Sequence, residues 1–421
     1  MMTHSPAVRI EIINTGTELL LGNTLNTHGA WFGRELFKLG LRIGRQTTVP
    51  DGEAIRESLT EAIARADAVI VTGGLGPTSD DLTREITAEV LGLELITDEA
   101  ALRSLEGFFA LRGKVMVDAN LKQAQCPVGA DCLPNPNGTA PGIYVPPRLN
   151  GRSNCAVFLL PGPPRELYPM VHAEVIPRLR ALAGVEAFAE ALVLKFTGIG
   201  ESDFHEGIDA ELAAVPGMEY GYCAHIGEVD LRLIGDAAAL EAGRAIALKR
   251  FSTFLISDDG ASMEKTVVRL LQERGMNFAT AESCTGGLIA NRITDVPGAS
   301  EVFTHGYVTY ANEAKSGMLG VPAAEIAAHG AVSEAVARAM VEGALAASGA
   351  SIAVAVTGIA GPDGGTEDKP VGTAWIAVSS KGGKTDAFCV YHPRNRKDFK
   401  LAVSQSALEA VRRRLLTGSP S

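Results

Sequence analysis

The sequence predicts an α/β protein, and three observations indicate this class. Strand-like and helix-like segments alternate through the first 165 residues, which is the pattern of βαβ units around a parallel sheet. The segment 68–71, Ala-Val-Ile-Val, is a short continuous apolar run, as expected for a strand buried on both faces. Glycine occurs 46 times and aromatic residues make up only 5% of the chain, which fits many tight turns. With 421 residues, the chain is too long for one core and should form two or three domains.

The N-terminal segments predict a doubly wound domain in the order β, α, β, α, β. Strand patterns cover 8–13, 41–49 and 68–71, and helical spacing covers 26–39 and 55–66 between them. A last strand follows near residue 160. Ligands of such sheets bind at the carboxyl ends of the strands. The loops that follow these strands are therefore the candidate binding loops.

The loop 72–83, Thr-Gly-Gly-Leu-Gly-Pro-Thr-Ser-Asp-Asp-Leu-Thr, has the composition of a phosphate-binding loop. Its glycines let a phosphate approach backbone N–H groups closely; they are Gly73, Gly74 and Gly76. Asp80 and Asp81 offer hard oxygen ligands for a magnesium ion. In the alternative interpretation, one of these aspartates only caps the next helix. After the last strand, Arg165 could either bind a phosphate or pair with Glu166.

Residues 169–257 change character and predict a small α+β domain. Alternating segments at 192–196 and 229–234 indicate antiparallel strands, and helical patterns cover 201–212 and 237–251. We expect this segment to act as a spacer and interface module.

Composition and charge argue against several functional classes. The net charge is −11, and the acidic excess lies in residues 1–261, which carry 34 acidic and 22 basic residues. Such a chain offers no broad basic surface, so a nucleic-acid partner is not expected. No segment approaches the ~18 uncharged apolar residues that a membrane span requires, and residues 1–8 lack a signal-peptide pattern. We therefore expect a cytoplasmic protein without a membrane partner. Six scattered cysteines without a Cys-x-x-Cys pair indicate neither a zinc site nor a disulfide framework.

A strand-turn-helix segment in the last third of the chain carries the strongest sign of chemistry. Its turn, 283–287, reads Ser-Cys-Thr-Gly-Gly. A hydroxyl at such a turn faces unpaired backbone N–H groups and the positive end of the helix dipole, which favour a developing oxyanion. Ser283 is therefore a candidate nucleophile. The alternatives are that Ser283 or Thr285 only caps the helix, or that the thiol of Cys284 is the nucleophile.

Three further blocks follow this turn. The run 306–310 predicts a strand that ends in a tyrosine and precedes Lys315, the loop 357–365 reads Thr-Gly-Ile-Ala-Gly-Pro-Asp-Gly-Gly, and 369–373 reads Lys-Pro-Val-Gly-Thr. Together with Ser-Cys-Thr-Gly-Gly, these blocks resemble the nicotinamide mononucleotide deamidase domain of the CinA (competence/damage-inducible protein A) family.

The resemblance covers about residues 262–416 and implies a C-terminal α/β amidohydrolase domain, residues 258–421. Such a domain would convert nicotinamide mononucleotide to nicotinate mononucleotide and ammonia, and would need no cofactor.

Hydrolysis of an amide by serine requires a base, and the chain offers a lysine rather than a histidine. Neither His305 nor His329 belongs to a matching block, which disfavours a Ser-His-Asp triad. Lys315 is the remaining base, and burial or nearby positive charge would have to keep it neutral. We hypothesise that Ser283, deprotonated by Lys315, attacks the amide and forms an acyl-enzyme. The supporting residues are Tyr310 in the hydrogen-bond network, Thr285, Gly286, Gly287, Thr357 and Gly361 around the ligand or oxyanion, and Arg394 or Arg396 at the 5′-phosphate.

The N-terminal loop resembles the molybdopterin-binding domain shared by MoaB, MogA and MoeA proteins. In that domain a Gly-Gly-x-Gly loop, a following Asp-x-Thr (here 81–83) and an earlier aspartate (here Asp51) lie in the pocket. In the CinA family this domain, here residues 1–168, is associated with cleavage of ADP-ribose to AMP and ribose 5-phosphate. The resemblance implies a divalent metal, magnesium or cobalt, with potassium as an additional ion, near Asp51, Asp80 and Asp81.

The family resemblance also implies a homodimer and a KH-like fold for residues 169–257. The segment 198–201, Gly-Ile-Gly-Glu, places an acidic residue where nucleic-acid binders present a basic clamp, so RNA binding is not expected. The combined interpretation is a bifunctional enzyme of pyridine nucleotide salvage.

Two hypotheses from other functional classes remain open. Residues 1–168 could be a non-catalytic module that binds molybdopterin or a nucleotide and regulates the last domain. The chain could instead be an interaction partner in competence or DNA repair, although its acidic charge argues against direct DNA contact.

Overall fold

The computed structural model describes residues 8–149, 153–183 and 190–417. The prediction that residues 1–8 do not form a signal peptide concerns mostly residues 1–7, which lie outside the described residues. The chain forms two compact units, residues 1–191 and 192–421. The division into three domains at residues 168 and 257 stays a prediction. Among the described helices, none combines the length and the apolar character needed to cross a membrane.

Strands and helices alternate in the first unit. The strands are β1 (Ile10–Thr15), β2 (Ile43–Val49), β3 (Ala68–Thr72), β4 (Leu95–Thr97), β5 (Gln125–Pro127), β6 (Asp131–Leu133), β7 (Gly142–Val145) and β8 (Ala156–Leu160). The helices are α1 (Thr17–Leu20), α2 (His28–Phe37), α3 (Ala54–Arg65), α4 (Thr83–Leu91), α5 (Glu99–Ala110), α6 (Pro164–Met170) and α7 (Ile176–Ala183), with a 3₁₀ helix at Asp118–Ala124 and a π-helical turn at Val171–Val175.

The main sheet of this unit has the order β2-β1-β3-β8-β7-β6. The first four strands run parallel, whereas β7 is antiparallel to both of its neighbours. β1, β3 and β8 are buried along their whole length because helices cover both faces. Leu59 of α3 packs on one face, and Phe32 of α2 and Leu167 of α6 pack on the other. The predicted doubly wound α/β class is confirmed, with an unpredicted hairpin of β6 and β7 at one edge.

The second unit contains the remaining elements. The strands are β9 (Glu190–Thr197), β10 (Glu219–His225), β11 (Glu228–Gly235), β12 (Leu255–Ser257), β13 (Phe278–Glu282), β14 (Phe303–Val308), β15 (Ile352–Gly358), β16 (Thr373–Ser380) and β17 (Asp386–Tyr391). The helices are α8 (Glu201–Ala213), α9 (Ala237–Phe251), α10 (Met263–Glu273), α11 (Leu288–Thr294), α12 (Asn312–Leu319), α13 (Ala323–His329), α14 (Glu334–Ser348) and α15 (Arg396–Thr417), with 3₁₀ turns at Ser252–Phe254 and Ala299–Glu301.

Two sheets organise this unit. A four-stranded sheet, β10-β11-β9-β12, shares a core with Phe204 of α8 and Phe251 of α9. A five-stranded sheet has the order β14-β13-β15-β16-β17, in which β14, β13 and β15 are parallel and the last two strands are antiparallel. Val403 of α15 packs on one face of this sheet and Met340 of α14 on the other. The carboxyl ends of the parallel strands therefore meet at one edge, where a site is expected.

Helix α12 is held close to α14 because a glycine faces it. A Cβ atom placed on Gly343 of α14 would lie 1.9 Å from the backbone oxygen of Leu319, the last residue of α12. Such a distance is far inside van der Waals contact, so any larger residue must push the two helices apart. The position of α12, and of every side chain that it carries, therefore depends on this glycine.

We expect Gly343→Ala to lower the free energy of unfolding by roughly 1–3 kcal/mol, as overpacking does, although alanine favours helices. The matched control is Gly317→Ala on α12, where an added Cβ meets nothing within 4 Å. That control should be neutral or stabilise by up to about 1 kcal/mol. Thermal unfolding of both variants checks the expectation, and an equal response at the two positions would contradict it.

Candidate active site

The turn that carries Ser283 lies at the carboxyl end of β13 and leads into α11. The Ser283 N–H donates to the Val356 carbonyl of β15 at 3.0 Å, and the Gly286 N–H donates to the Ser283 carbonyl at 3.1 Å. Gly286 and Gly287 have φ angles of +61° and +90°, which side chains disfavour. The sheet and the tight turn thus fix the serine backbone.

Ser283 meets the predicted base, Lys315, in a buried contact. The Lys315 side-chain nitrogen, Nζ, lies 3.1 Å from Ser283 Oγ, 2.9 Å from the carbonyl oxygen of Thr309 and 3.5 Å from that of Tyr310. The two residues are only 1% (Lys315) and 8% (Ser283) exposed. They are 32 positions apart in the chain, and they meet because β13 and β14 are neighbours and α12 starts just after β14.

The surroundings of Lys315 favour a neutral amine. Burial lowers the pKa of Lys315 from its ordinary value of 10.5. Its hydrogen-bond partners are two carbonyls and one hydroxyl, and among the described residues no carboxylate lies within salt-bridge distance of Nζ. A neutral amine has two N–H groups, which match the two carbonyls, and one lone pair. The lone pair then faces the Ser283 hydroxyl, which is the arrangement that a general base requires.

A buried carboxylate, Glu282, binds the start of α11. Its Oε1 accepts from the Ala290 N–H at 2.8 Å, and its Oε2 accepts from the Ile289 N–H at 3.0 Å and from the Thr285 hydroxyl at 2.7 Å. The expectation that these N–H groups face Ser283 unpaired is therefore wrong, because Glu282 already occupies them. The alternative that Ser283 or Thr285 caps the helix is also wrong. The hydroxyl of Thr285, a predicted ligand contact, is fully buried and bound to Glu282.

The thiol next to Ser283 is not prepared for nucleophilic attack. Cys284 is 4% exposed and belongs to the hydrophobic core. Burial raises the pKa of the Cys284 thiol to about 12, so the thiolate is scarce at neutral pH. The geometry favours Ser283 as the nucleophile over its neighbour.

An arginine connects two of the sequence blocks to α15. Arg396, at the first position of α15, donates to the Gly361 carbonyl at 2.9 Å and to the Tyr310 hydroxyl at 2.6 Å. The Tyr310 side chain is therefore bound to Arg396 and does not join the hydrogen bonds of Ser283 and Lys315, contrary to our expectation. Only its backbone carbonyl faces Lys315. Arg394 is exposed and borders a different cavity, beside His392.

Thr357, another predicted catalytic residue, lies at the carboxyl end of β15 and is almost fully buried. Its hydroxyl donates to the Ala331 carbonyl at 2.8 Å. This bond connects the strand to the loop before α14. In this conformation the Thr357 hydroxyl positions the loop at Ala331.

The N-terminal loops enclose a second candidate site, a cavity of about 380 Å³. Loops that follow β1, β2, β3 and β8 contribute to its wall, as expected for the carboxyl edge of a doubly wound sheet. All six predicted residues of the loop and metal set line it, namely Gly73, Gly74, Gly76, Asp51, Asp80 and Asp81. Glycine is required at 74, where φ is +66° and a Cβ would lie 2.1 Å from Thr83 Oγ1.

The lining of this cavity is strongly acidic. Among the described residues it holds five carboxylates and no lysine, arginine or histidine. The carboxylates are Glu18, Asp51, Asp80, Asp81 and Glu166. Sequence reasoning missed Glu18 and Glu166, because nothing in their local pattern shows that they face the loop. An anionic ligand would be repelled by this lining unless a cation accompanied it.

Two of the aspartates also support their own turns. Asp51 Oδ2 accepts from the N–H (3.0 Å) and hydroxyl (3.1 Å) of Thr17, and Asp81 Oδ2 accepts from the N–H (3.0 Å) and hydroxyl of Thr78. Neither Asp80 nor Asp81 caps α4, so that alternative is wrong. A hydrogen bond from Thr78 lowers the pKa of Asp80, which keeps this exposed carboxylate ionised.

The donor set fits a metal ion only with help from a ligand. Within the described ranges, no group of three or more His, Cys, Asp or Glu side chains could hold a metal by itself. Magnesium is commonly bound by one or two carboxylates together with substrate phosphates and water. The carboxylates of this cavity are suited to that mode. Arg165 does not line the cavity. It is exposed, and its Nε lies 3.6 Å from Glu166 Oε1, as expected if Arg165 pairs with Glu166 rather than with a phosphate.

Comparison with known proteins identifies two domain types in the chain. Residues 260–415 match the CinA C-terminal domain, and residues 11–181 match a probable molybdopterin binding domain. A CinA-like protein of Akkermansia muciniphila is 52% identical over 405 residues, which cover 96% of this chain and 97% of that protein. A putative competence-damage inducible protein of Symbiobacterium thermophilum is 48% identical over 88% of each chain.

Among solved structures, competence/damage inducible protein CihA from Agrobacterium tumefaciens is 42% identical, covers 35% of this chain and 91% of its own, and has a TM-score of 0.35. The full-length match to the Akkermansia relative, together with both domain matches, confirms the predicted family. The chain belongs to the CinA family.

Proposed function

We propose that the C-terminal site hydrolyses the carboxamide of nicotinamide mononucleotide, giving nicotinate mononucleotide and ammonia. The observation that carries the proposal is the 3.1 Å contact between Ser283 Oγ and a buried lysine without a carboxylate partner among the described residues. A serine hydroxyl is inert at neutral pH unless a base takes its proton, and this contact provides one. Membership of the CinA family supports the choice of substrate.

In the first half of the reaction, neutral Lys315 takes the Ser283 proton as Oγ attacks the amide carbon. The tetrahedral intermediate collapses when Lys315 returns the proton to the leaving nitrogen, so ammonia departs and an ester joins Ser283 to the nicotinate carbonyl. In the second half, Lys315 takes a proton from water, which attacks the ester. The acid is released and the serine recovers its proton.

The residues around the pair have positioning roles in this scheme. Glu282 fixes α11 and the turn, and Arg396 ties Tyr310 and Gly361 to α15. Thr357 holds the loop at Ala331. None of these contacts needs to break for Ser283 to react.

A second function is supported by the acidic N-terminal cavity. We propose that it binds ADP-ribose with a divalent cation, magnesium or cobalt, and hydrolyses it to AMP and ribose 5-phosphate. One or two of Asp51, Asp80 and Asp81, together with substrate phosphates and water, would hold the ion, which neutralises the diphosphate charge when bound. The loop at Gly73 and Gly74 lets backbone N–H groups approach the phosphates. A potassium ion, a homodimer and the KH-like character of the middle segment stay predictions.

The competing hypothesis for this cavity is a regulatory module that binds molybdopterin or a nucleotide without turnover. Calorimetry with ADP-ribose and with molybdopterin, combined with analysis of products, separates the two. Binding of ADP-ribose in the presence of metal but without AMP formation would favour the regulatory module.

We expect Ser283→Ala to reduce ammonia release from nicotinamide mononucleotide by about 10³-fold or more, because no nucleophile remains. Cys284→Ala is the matched control. It removes a buried thiol, costs stability, and should keep the rate within about tenfold of the wild type. Undiminished release by Ser283→Ala, or loss confined to Cys284→Ala, would refute the covalent role of the serine.

The pH dependence should report the lysine. Only neutral Lys315 can act as the base, so kcat/KM should rise with pH as Lys315 loses its proton. Because burial lowers the pKa of Lys315, the midpoint of this rising limb of the pH–rate profile should lie below pH 10.5. Lys315→Met should abolish the limb and the activity, whereas Lys381→Met, at an exposed hairpin turn, should change neither. A rate that falls with rising pH over this range would contradict the assignment.

Binding of ADP-ribose should depend on metal. Calorimetry on the full chain should detect binding with magnesium or cobalt and none with a chelator, because five carboxylates line the cavity without a basic residue. Asp80→Asn should weaken metal-supported binding on the order of tenfold. Glu106→Gln, at an exposed position of α5, removes the same charge outside the cavity and should have no effect. Equal affinity with and without metal would overturn the metal requirement.

A further inference from the structure

The C-terminal site needs a cation for the phosphate of a mononucleotide, and the predicted arginines do not provide a free one. The Arg396 guanidinium is occupied through Nη1 by the Gly361 carbonyl and through Nη2 by the Tyr310 hydroxyl. These contacts use two of its five N–H groups and fix the direction of the guanidinium.

Arg394 serves another part of the molecule. It lines a cavity of about 470 Å³ together with His392, Gln405 and Gly198 of the loop after β9. The residues of the Ser283 turn do not contribute to this lining. Arg394 therefore lies at a cavity distinct from the nucleophile.

Lys400, which sequence reasoning did not single out, lies beside the nucleophile turn. Its Nζ is 3.6 Å from the position that a Cβ atom on Gly286 would occupy. Gly286 is the fourth residue of the β-turn that starts at Ser283, and the ends of such a turn are less than about 7 Å apart. The lysine amine thus lies beside the turn that carries the reacting oxygen.

The Lys400 ammonium has no ionic or hydrogen-bond partner within the part of the chain that the structure describes. Its side chain is half-buried on the second turn of α15, a helix of 22 residues. The Lys400 charge acts to lower the pKa of the Cys284 thiol, opposing the effect of burial, which agrees with a position of Lys400 near this turn.

We propose that Lys400 binds the phosphate of the substrate and makes the Ser283 site selective for nucleotides over nucleosides. This inference rests on the proposed amidase function. It divides the work between two lysines. Lys315, buried and neutral, acts on the amide, and Lys400, partly exposed and charged, holds the anionic end. The absence of a side chain at Gly286 keeps the path between the ammonium and the turn open.

The test compares two substrates in the full chain. Lys400→Met should raise KM for nicotinamide mononucleotide by roughly 10- to 100-fold, the value of one charge-assisted hydrogen bond, while kcat changes little. Turnover of nicotinamide riboside, which lacks the phosphate, should stay at the wild-type level. Lys400→Arg should restore most of the affinity. Lys397→Met removes an exposed charge from the same helix and should affect neither substrate.

A binding measurement separates this inference from the amidase proposal. Calorimetry with ribose 5-phosphate and a chelator, which prevents metal-supported binding at the N-terminal cavity, should show weaker binding to Lys400→Met than to the wild type or Lys397→Met. If the wild type releases no ammonia from either substrate, the amidase proposal fails, and this comparison still decides the role of Lys400. Unchanged KM and unchanged ribose 5-phosphate binding in Lys400→Met would overturn the inference, as would an equal loss on both substrates.

Discussion

Burial of one unpaired amine is the constraint on which the C-terminal site depends. A lysine removed from water without a carboxylate avoids a cost of several kcal/mol by losing its proton. Lys315 meets this condition because its partners among the described residues are two carbonyls and the Ser283 hydroxyl. Keeping it there requires that α12 stay close to the sheet, which the glycine at 343 allows. The packing of α12 against α14 thus favours the neutral form of a lysine side chain that α12 carries.

The contacts of the buried Glu282 carboxylate explain why it does not act as a counter-ion for Lys315. If it paired with Lys315, the lysine would remain an ammonium and could not accept a proton. Its oxygens are instead satisfied by two N–H groups of α11 and by the Thr285 hydroxyl. The acid is therefore stabilised by the helix, and the amine stays without a counter-ion. Two N–H groups at the start of α11, which could have served an oxyanion, instead bind a carboxylate that must be kept away from the base.

The sequence predicted the fold better than the contacts of the site. The bounds of α9 were predicted correctly, because helical spacing is a local signal. The hairpin of β6 and β7 was missed, since strands of three or four residues beside a turn-rich segment give no clear period. Ser283 and Lys315 could be proposed from motifs. The pairing of Tyr310 with Arg396 could not, because 86 positions separate them and the orientation of exposed side chains is set only by tertiary packing.

The two candidate sites differ in how they would hold phosphate, and the difference follows from charge. The N-terminal cavity concentrates carboxylates, so it would bind a diphosphate only by way of a metal that both sides share. The turn at Ser283 lies near the Lys400 amine, so a monophosphate could be bound there directly. A metal ion at the Ser283 site would be a disadvantage, since it would compete with Lys400 for the phosphate. Two nucleotides with different numbers of phosphates could thus be sorted within one chain by the sign of the lining charge.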